Sequence, residues 1–202
     1  MGRGPTASID VKAKRNSEKG GGNTAAIMGQ DGDARIVYMA GDVDENSISQ
    51  VVAHMLHLSS VSQKPIQFVI STYGGAVDEM FSLYDVIKFL PCPVHTIGLG
   101  KIMSAGVLLL ASGEKGKRMI GKNSRIMIHS MSGSAAGNIF EVLNEASEMK
   151  RMQDLMVSLL CKETKMPKSE VEKIMKMGHD FYLTSDQALK YGIVDKIIGD
   201  GE

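Results

Sequence analysis

From Ala34 onward the chain repeats one pattern: a short β-branched run, an amphipathic segment, then another run. "RIVYMAG" reads as a strand, and residues 47–58 follow with Ile48, Val51, Val52, Met55 and Leu56 at helical spacing. "IQFVIS" is a second strand, residues 78–90 a second helix, "PVHTIGL" a third strand, and a further helix is expected to begin near Ser104. Strands separated by helices cannot be hairpins. They require crossovers, which are right-handed, and so an α/β fold on a mainly parallel sheet.

The pattern then changes. "KRMIGKNSRIMIHS" holds two short strand-like runs around the turn-forming Asn123 and Ser124, and "MSGSAAGN" is too poor in apolar groups to be core. Residues 139–161 read as one long helix, with Ile139, Val142, Leu143, Ala146, Met149, Met152, Met156 and Leu159 in a broad stripe that needs a cover, for which another subunit is the candidate. A short helix over 168–176 stops before Gly178. Then come "FYLT", a helix capped by Thr184 or Ser185, and a last strand, "IVDKII", after Gly192. One domain over 34–202 is expected, preceded by a polar, glycine-bearing tail over 1–33.

Composition removes several function classes. Formal net charge is zero with no basic patch beside aromatics, so nucleic acid is not an expected partner. The apolar stretch over 102–111 falls well short of the ~20 residues a spanning helix needs, so no membrane is expected. Cys92 and Cys161 make neither a disulfide framework nor a zinc site, and the first thirty residues lack the apolar core of a signal peptide. A reducing, cytoplasmic compartment is expected. The opening "MGRGPT" matches the myristoylation pattern through Gly2 and Thr6, against the plainer reading of a polar tail. The 15 methionines read as flexible core filler rather than a copper site.

Residues 98–113, "GLGKIMSAGVLLLASG", are where chemistry could sit. They fail as a phosphate loop, because Lys101 is followed by Ile102 and no glycine stands five before Gly100, and as a dinucleotide loop, because Met103 occupies the third glycine position. What remains is Ser104 between a strand end and an apolar helix, with small neighbours Ala105 and Gly106. This is the logic of a nucleophile turn, though Ile102 breaks Gly-x-Ser-x-Gly, and a serine there serves equally as a helix cap. A nucleophile needs a base. His54 and His57 share one helix without a third metal ligand, His95 sits mid-strand and His179 near a turn, while His129 ends "RIMIH" at the mouth of a polar loop. "TYGG" after the second strand is either an oxyanion donor or only a tight turn.

In their order and spacing, "YGG" with its helix, "MSAG", "NSRIMIH" and "DFYLTSDQALKYGIVDKI" resemble the ClpP family of self-compartmentalised serine peptidases, from about residue 35 to residue 198. The resemblance implies a crotonase/ClpP-like α/β fold of repeated ββα and βαβ units with a protruding handle helix. It implies Ser104 as nucleophile, His129 as base, Asp180 as the acid behind it, and the backbone N–H groups of Gly75 and Ala105 as the oxyanion hole. Gly74, Met131, Ser132 and Gly133 would line the substrate, with 131–138 a strand pairing with an extended peptide. No cofactor and no metal is implied. The partners implied are copies of the chain in heptameric rings stacked in pairs, an AAA+ unfoldase of the ClpX, ClpA or ClpC type, and unfolded polypeptides. This chain departs from the family pattern at Tyr73 and Met131, where proline is frequent, at "KIM" before Ser104, at "MGH" before Asp180, and over 1–33. Two other readings stand beside it: an auxiliary ring subunit, and a crotonase-type acyl-CoA enzyme.

Overall fold

A computed structural model describes residues 35–199; the tail over 1–33 and the Gly2 and Thr6 pattern lie outside the described residues. The elements run β1 (Ile36–Val43), α1 (Glu45–Val61), β2 (Ile66–Gly75), α2 (Val77–Phe89), β3 (Val94–Met103), α3 (Ala105–Ala111), β4 (Met119–Gly121), β5 (Arg125–Ile128), α4 (Ile139–Glu163), α5 (Lys168–Lys176), β6 (Phe181–Leu183), α6 (Ser185–Lys190) and β7 (Lys196–Ile198). The strands form one seven-stranded sheet. All its pairings are parallel except that of β5 with β6.

β2 and β3 run past the apolar stretches that announced them, to Gly75 and Met103. The extension is possible because the ladder continues through polar residues once each strand bulges: β2 runs from Ser71 to Gly74 while β1 runs from Ala40 to Asp42, and β3 runs from Gly98 to Ile102 while β2 runs from Ile70 to Thr72. The two runs around Asn123 do not pair with each other. β4 pairs with Ile97 and Gly98 of β3, and β5 takes over the same edge at Lys101, Ile102 and Met103. Ser124 bridges the step, its Oγ accepting from Gly100 N–H at 2.9 Å.

All seven residues of α3 are buried, as expected of a helix apolar all round, and it packs on β2, β3, α2 and α4. Buried methionines, among them Met39, Met55, Met80 and Met175, belong to the same core, in keeping with core filler. α4 starts at a capping box of Asn138 and Glu141. Its C-terminal half buries Met156, Val157 and Leu160, whereas Ile139, Phe140 and Leu143 at the other end are exposed. Thr184, not Ser185, caps α6.

Two buried charges tie the helix ends. The Arg35 guanidinium donates to Leu58 O (2.7 Å), Ser62 O (2.9 Å) and Lys64 O (3.0 Å), supplying the positive charge that the last turn of α1 lacks. Glu163, 3 % exposed, accepts from Tyr84 Oη at 2.8 Å and pairs with Lys88 at 2.9 Å and Lys115 at 3.0 Å, fixing the end of α4 to α2. Burial pushes the Glu163 carboxyl pKa up, but the hydrogen bonds from Lys88, Tyr84 and Lys115 outweigh it and hold it below the ordinary value. The folded state therefore binds this proton less readily than the unfolded chain. Its contribution to stability is complete above the ordinary glutamate pKa of ~4.3 and is lost as pH falls through the lower folded value. Glu163→Gln is expected to lower neutral-pH stability by about 1–2 kcal/mol and to flatten the decline as pH falls below the ordinary glutamate range, read from urea midpoints of both chains.

Candidate active site

β3 ends at Met103 and α3 begins at Ala105, so Ser104 alone makes the turn from strand to helix. Its backbone has φ 52° and ψ −120°, and it is the one non-glycine residue at positive φ among the described residues. Such a conformation costs on the order of 1–3 kcal/mol and persists only where the surroundings hold it. Here Ser104 N–H donates to Met127 O at 2.8 Å, and Ser104 O accepts from Val107 N–H at 3.0 Å. The hydroxyl makes no capping bond to α3, which disposes of the cap reading. It lies instead 2.8 Å from His129 Nε2.

His129 is the residue after β5, whose Ile126, Met127 and Ile128 are all buried, so the ring projects from a fixed strand end. With the serine hydroxyl donating, Nε2 is the acceptor and the ring proton resides on Nδ1. Asp180 stands just before β6. It is exposed, and its Oδ2 accepts from Tyr182 Oη at 3.1 Å; no hydrogen bond joins it to His129 among the described residues. The structure thus brings together the first two residues singled out in the sequence and leaves the third bonded to another partner.

β2 ends in two glycines, and Gly74 forms the wall facing Ser104. A Cβ on Gly74 (φ 102°) would stand 2.7 Å from Ser104 Cβ, 3.0 Å from Met103 O and 3.2 Å from Ala105 N, so glycine permits the approach both by its conformation and by its size. Gly75 is pressed against β1, where a Cβ would meet Val43 O at 2.2 Å. The fully buried Thr72 secures this loop: its Oγ1 donates to Gly41 O at 2.5 Å and accepts from Gly74 N–H at 3.0 Å. Sequence reasoning passed over Thr72. The available signal was a hydroxyl residue on the inward face of a strand otherwise lined by Ile66, Phe68 and Ile70. Tyr73, at the position of the family's proline, is exposed, with Lys101 Nζ 4.9 Å from its ring centroid.

Residues 131–138, expected as a strand, have no strand partner among the described residues and follow an irregular path beside α4. A strand exists only with a neighbour to bond, and this small, polar stretch packs too little apolar surface to stand alone. Its near end is fixed to α4, with Met131 N–H donating to Gln153 Oε1 at 3.2 Å and Gly133 so close to Met149 that a Cβ would meet Cε at 2.6 Å. Ser132 and Gly133 are exposed and Met131 half-buried.

The other histidines are engaged elsewhere. His95 Nε2 contacts Glu114 Oε2 at 2.9 Å, and His179 Nδ1 donates to Asp180 O at 3.2 Å. The His54 pKa is pushed down by burial first and by His57 second. No group of three His, Cys, Asp or Glu side chains among the described residues is placed to hold a metal, and no helix among them is long and apolar enough to cross a membrane.

Comparison with known proteins gives this geometry a family. The chain matches the Clp protease family over residues 19–201, which extends the likeness into the segment that the sequence alone set outside it. It is similar to the ATP-dependent Clp protease proteolytic subunit of Deinococcus radiodurans, 36% identical over 166 residues that cover 81% of this chain and 80% of that protein. A family match over nearly the whole described fold, together with a relative covered to that extent, places the chain in the Clp protease family and makes it a peptidase of the serine type.

Proposed function

We propose that the chain is the proteolytic subunit of a compartmentalised serine endopeptidase, with Ser104 as nucleophile, His129 as general base and Asp180 as the acid that orients it. The observation that carries this reading is the 2.8 Å hydrogen bond from the Ser104 hydroxyl to His129 Nε2, made at a strained turn by a serine that caps nothing. In the reaction Nε2 takes the hydroxyl proton as Oγ bonds to the peptide carbonyl carbon. The carbonyl electrons move onto oxygen, which the N–H groups of Gly75 and Ala105 receive. The imidazolium then gives its proton to the leaving amine, the C–N bond breaks, and water repeats the sequence on the acyl-enzyme.

The close seating of Gly74 beside Ser104 and Ala105 supports the oxyanion assignment, because it brings the loop to the side of the attacked carbonyl. The lack of a strand neighbour along 131–138 among the described residues supports substrate binding by strand addition along Met131, Ser132 and Gly133. The exposed Ile139, Phe140 and Leu143 support assembly into stacked heptameric rings, with α4 as the handle and the sites facing an enclosed chamber. An AAA+ unfoldase feeding unfolded polypeptide to that chamber, a cytoplasmic setting, and a single peptidase domain behind a separate N-terminal segment complete the reading. It routes no step through a cofactor or metal.

Intact mass after fluorophosphonate treatment tests the nucleophile: wild type is expected to gain one adduct and Ser104→Ala none. Gly74→Ala is expected to slow that acylation by about 100-fold, the scale of a misplacement of about 1 Å, when followed as a time course by mass. For assembly, Phe140→Asp with Leu143→Asp is expected to reduce the oligomer seen by sedimentation velocity by one ring or more. An unchanged sedimentation coefficient would remove α4 from the interface.

A further inference from the structure

In the β5–β6 ladder Ile126, Met127 and Ile128 face Leu183, Tyr182 and Phe181. Extending that register by one step would set His129 across from Asp180, and direct cross-strand neighbours have Cβ atoms ~4.5–5.5 Å apart. The carboxylate is therefore within reach of imidazole Nδ1, yet it is bonded elsewhere: Tyr182 Oη donates to Oδ2 at 3.1 Å. The phenol is itself held, because Arg125 Cζ lies 5.1 Å from the centroid of the Tyr182 ring. Loss of the phenol proton would break the bond to Asp180, which is the chief reason that the Tyr182 pKa lies above its ordinary value.

We propose that Tyr182 is a positioning residue that holds the Asp180 carboxylate off His129, so that the chain as described is a serine–histidine dyad and release of the phenol completes the triad. The inference rests on the triad reading given above. The two states differ in the donor that Asp180 accepts from, Tyr182 Oη in one and His129 Nδ1–H in the other, and the change needs side-chain rotation alone. Tyr182 is 48% exposed, so the bond that holds the resting state forms in competition with water. The balance is consequently close. Contact with a neighbouring subunit or a bound peptide that turned Arg125 or the Tyr182 ring would be enough to move it.

Tyr182→Phe removes the donor and leaves the ring beneath Arg125. Reaction of the purified full chain with a fluorophosphonate, followed by intact mass and peptide mapping, yields a maximal rate kinact and an apparent binding constant KI. The variant is expected to show kinact raised by about tenfold, the population shift that follows loss of one hydrogen bond to a charged acceptor, with KI unchanged. A change in KI instead would mark a merely structural role and overturn the proposal. In the Asp180→Asn background the same substitution is expected to have no effect, because the phenol acts only through that carboxylate. A kinact at or below wild type overturns the proposal, and so does a rise that persists with Asp180→Asn. Label on Ser104 at an unchanged rate sinks the latch and leaves the triad reading standing, whereas label on any other residue removes both.

Discussion

The architecture turns on a single backbone conformation, the positive φ of Ser104. A residue cannot hold that geometry by local preference, so the surrounding chain must impose it, and each feature near the site contributes. β3 has to end there and α3 begin. β5 supplies Met127 O to anchor the serine N–H, and the same strand delivers His129 two residues later. Gly74 lies so close that only a missing side chain makes room, while Thr72 and the bulges of β2 and β3 bend the loop into place. Glu163 and Arg35 act further out, anchoring helix ends so that these strand ends do not drift.

Much of this was legible in the sequence, for identifiable reasons. Strand and helix periodicity located the parallel repeat and the long α4, whose apolar stripe was visible as a surface in need of a cover. Ser104 and His129 were legible as single residues at suggestive ends of elements, but their spacing carried no information about contact, since they meet through pairing of β3 with β5. Only the likeness to a known family joined them in advance. The step from β4 to β5 along one edge of β3 was not legible, because two short runs around a turn have the same pattern whether they form a hairpin or two successive parallel pairings. Nor was the role of Thr72, whose hydroxyl does its work through a bulge that no periodicity announces.

Two of the departures from the family pattern, Tyr73 and "KIM", fall on side chains around Ser104. Tyr73 in place of proline gives up a fixed φ, and the loop draws its rigidity instead from Thr72 within and from the contact of Lys101 with the ring outside. Ile102 and Met103 before Ser104 are buried, so the bulk of "KIM" is absorbed by the core below. Lys101, the third member, stays at the surface against Tyr73. The segment over 131–138 has the opposite character, held at its two ends by Gln153 and by the Asn138 capping box and without a strand neighbour among the described residues.

The placement of β5 between β3 and β6 also sets a timetable for synthesis. β3 and β5 are complete once Ile128 has been made, but the outer edge of β5 stays open until residues 181–183 of β6 arrive, after the whole of α4 and α5. A chain emerging from the ribosome therefore carries its serine and histidine long before the strand presenting the histidine has neighbours on both sides. The residues that close that strand come only after more than fifty further residues, directly behind Asp180. The order of the chain thus sets Ser104 and His129 in place before the strand that will flank His129 has been made.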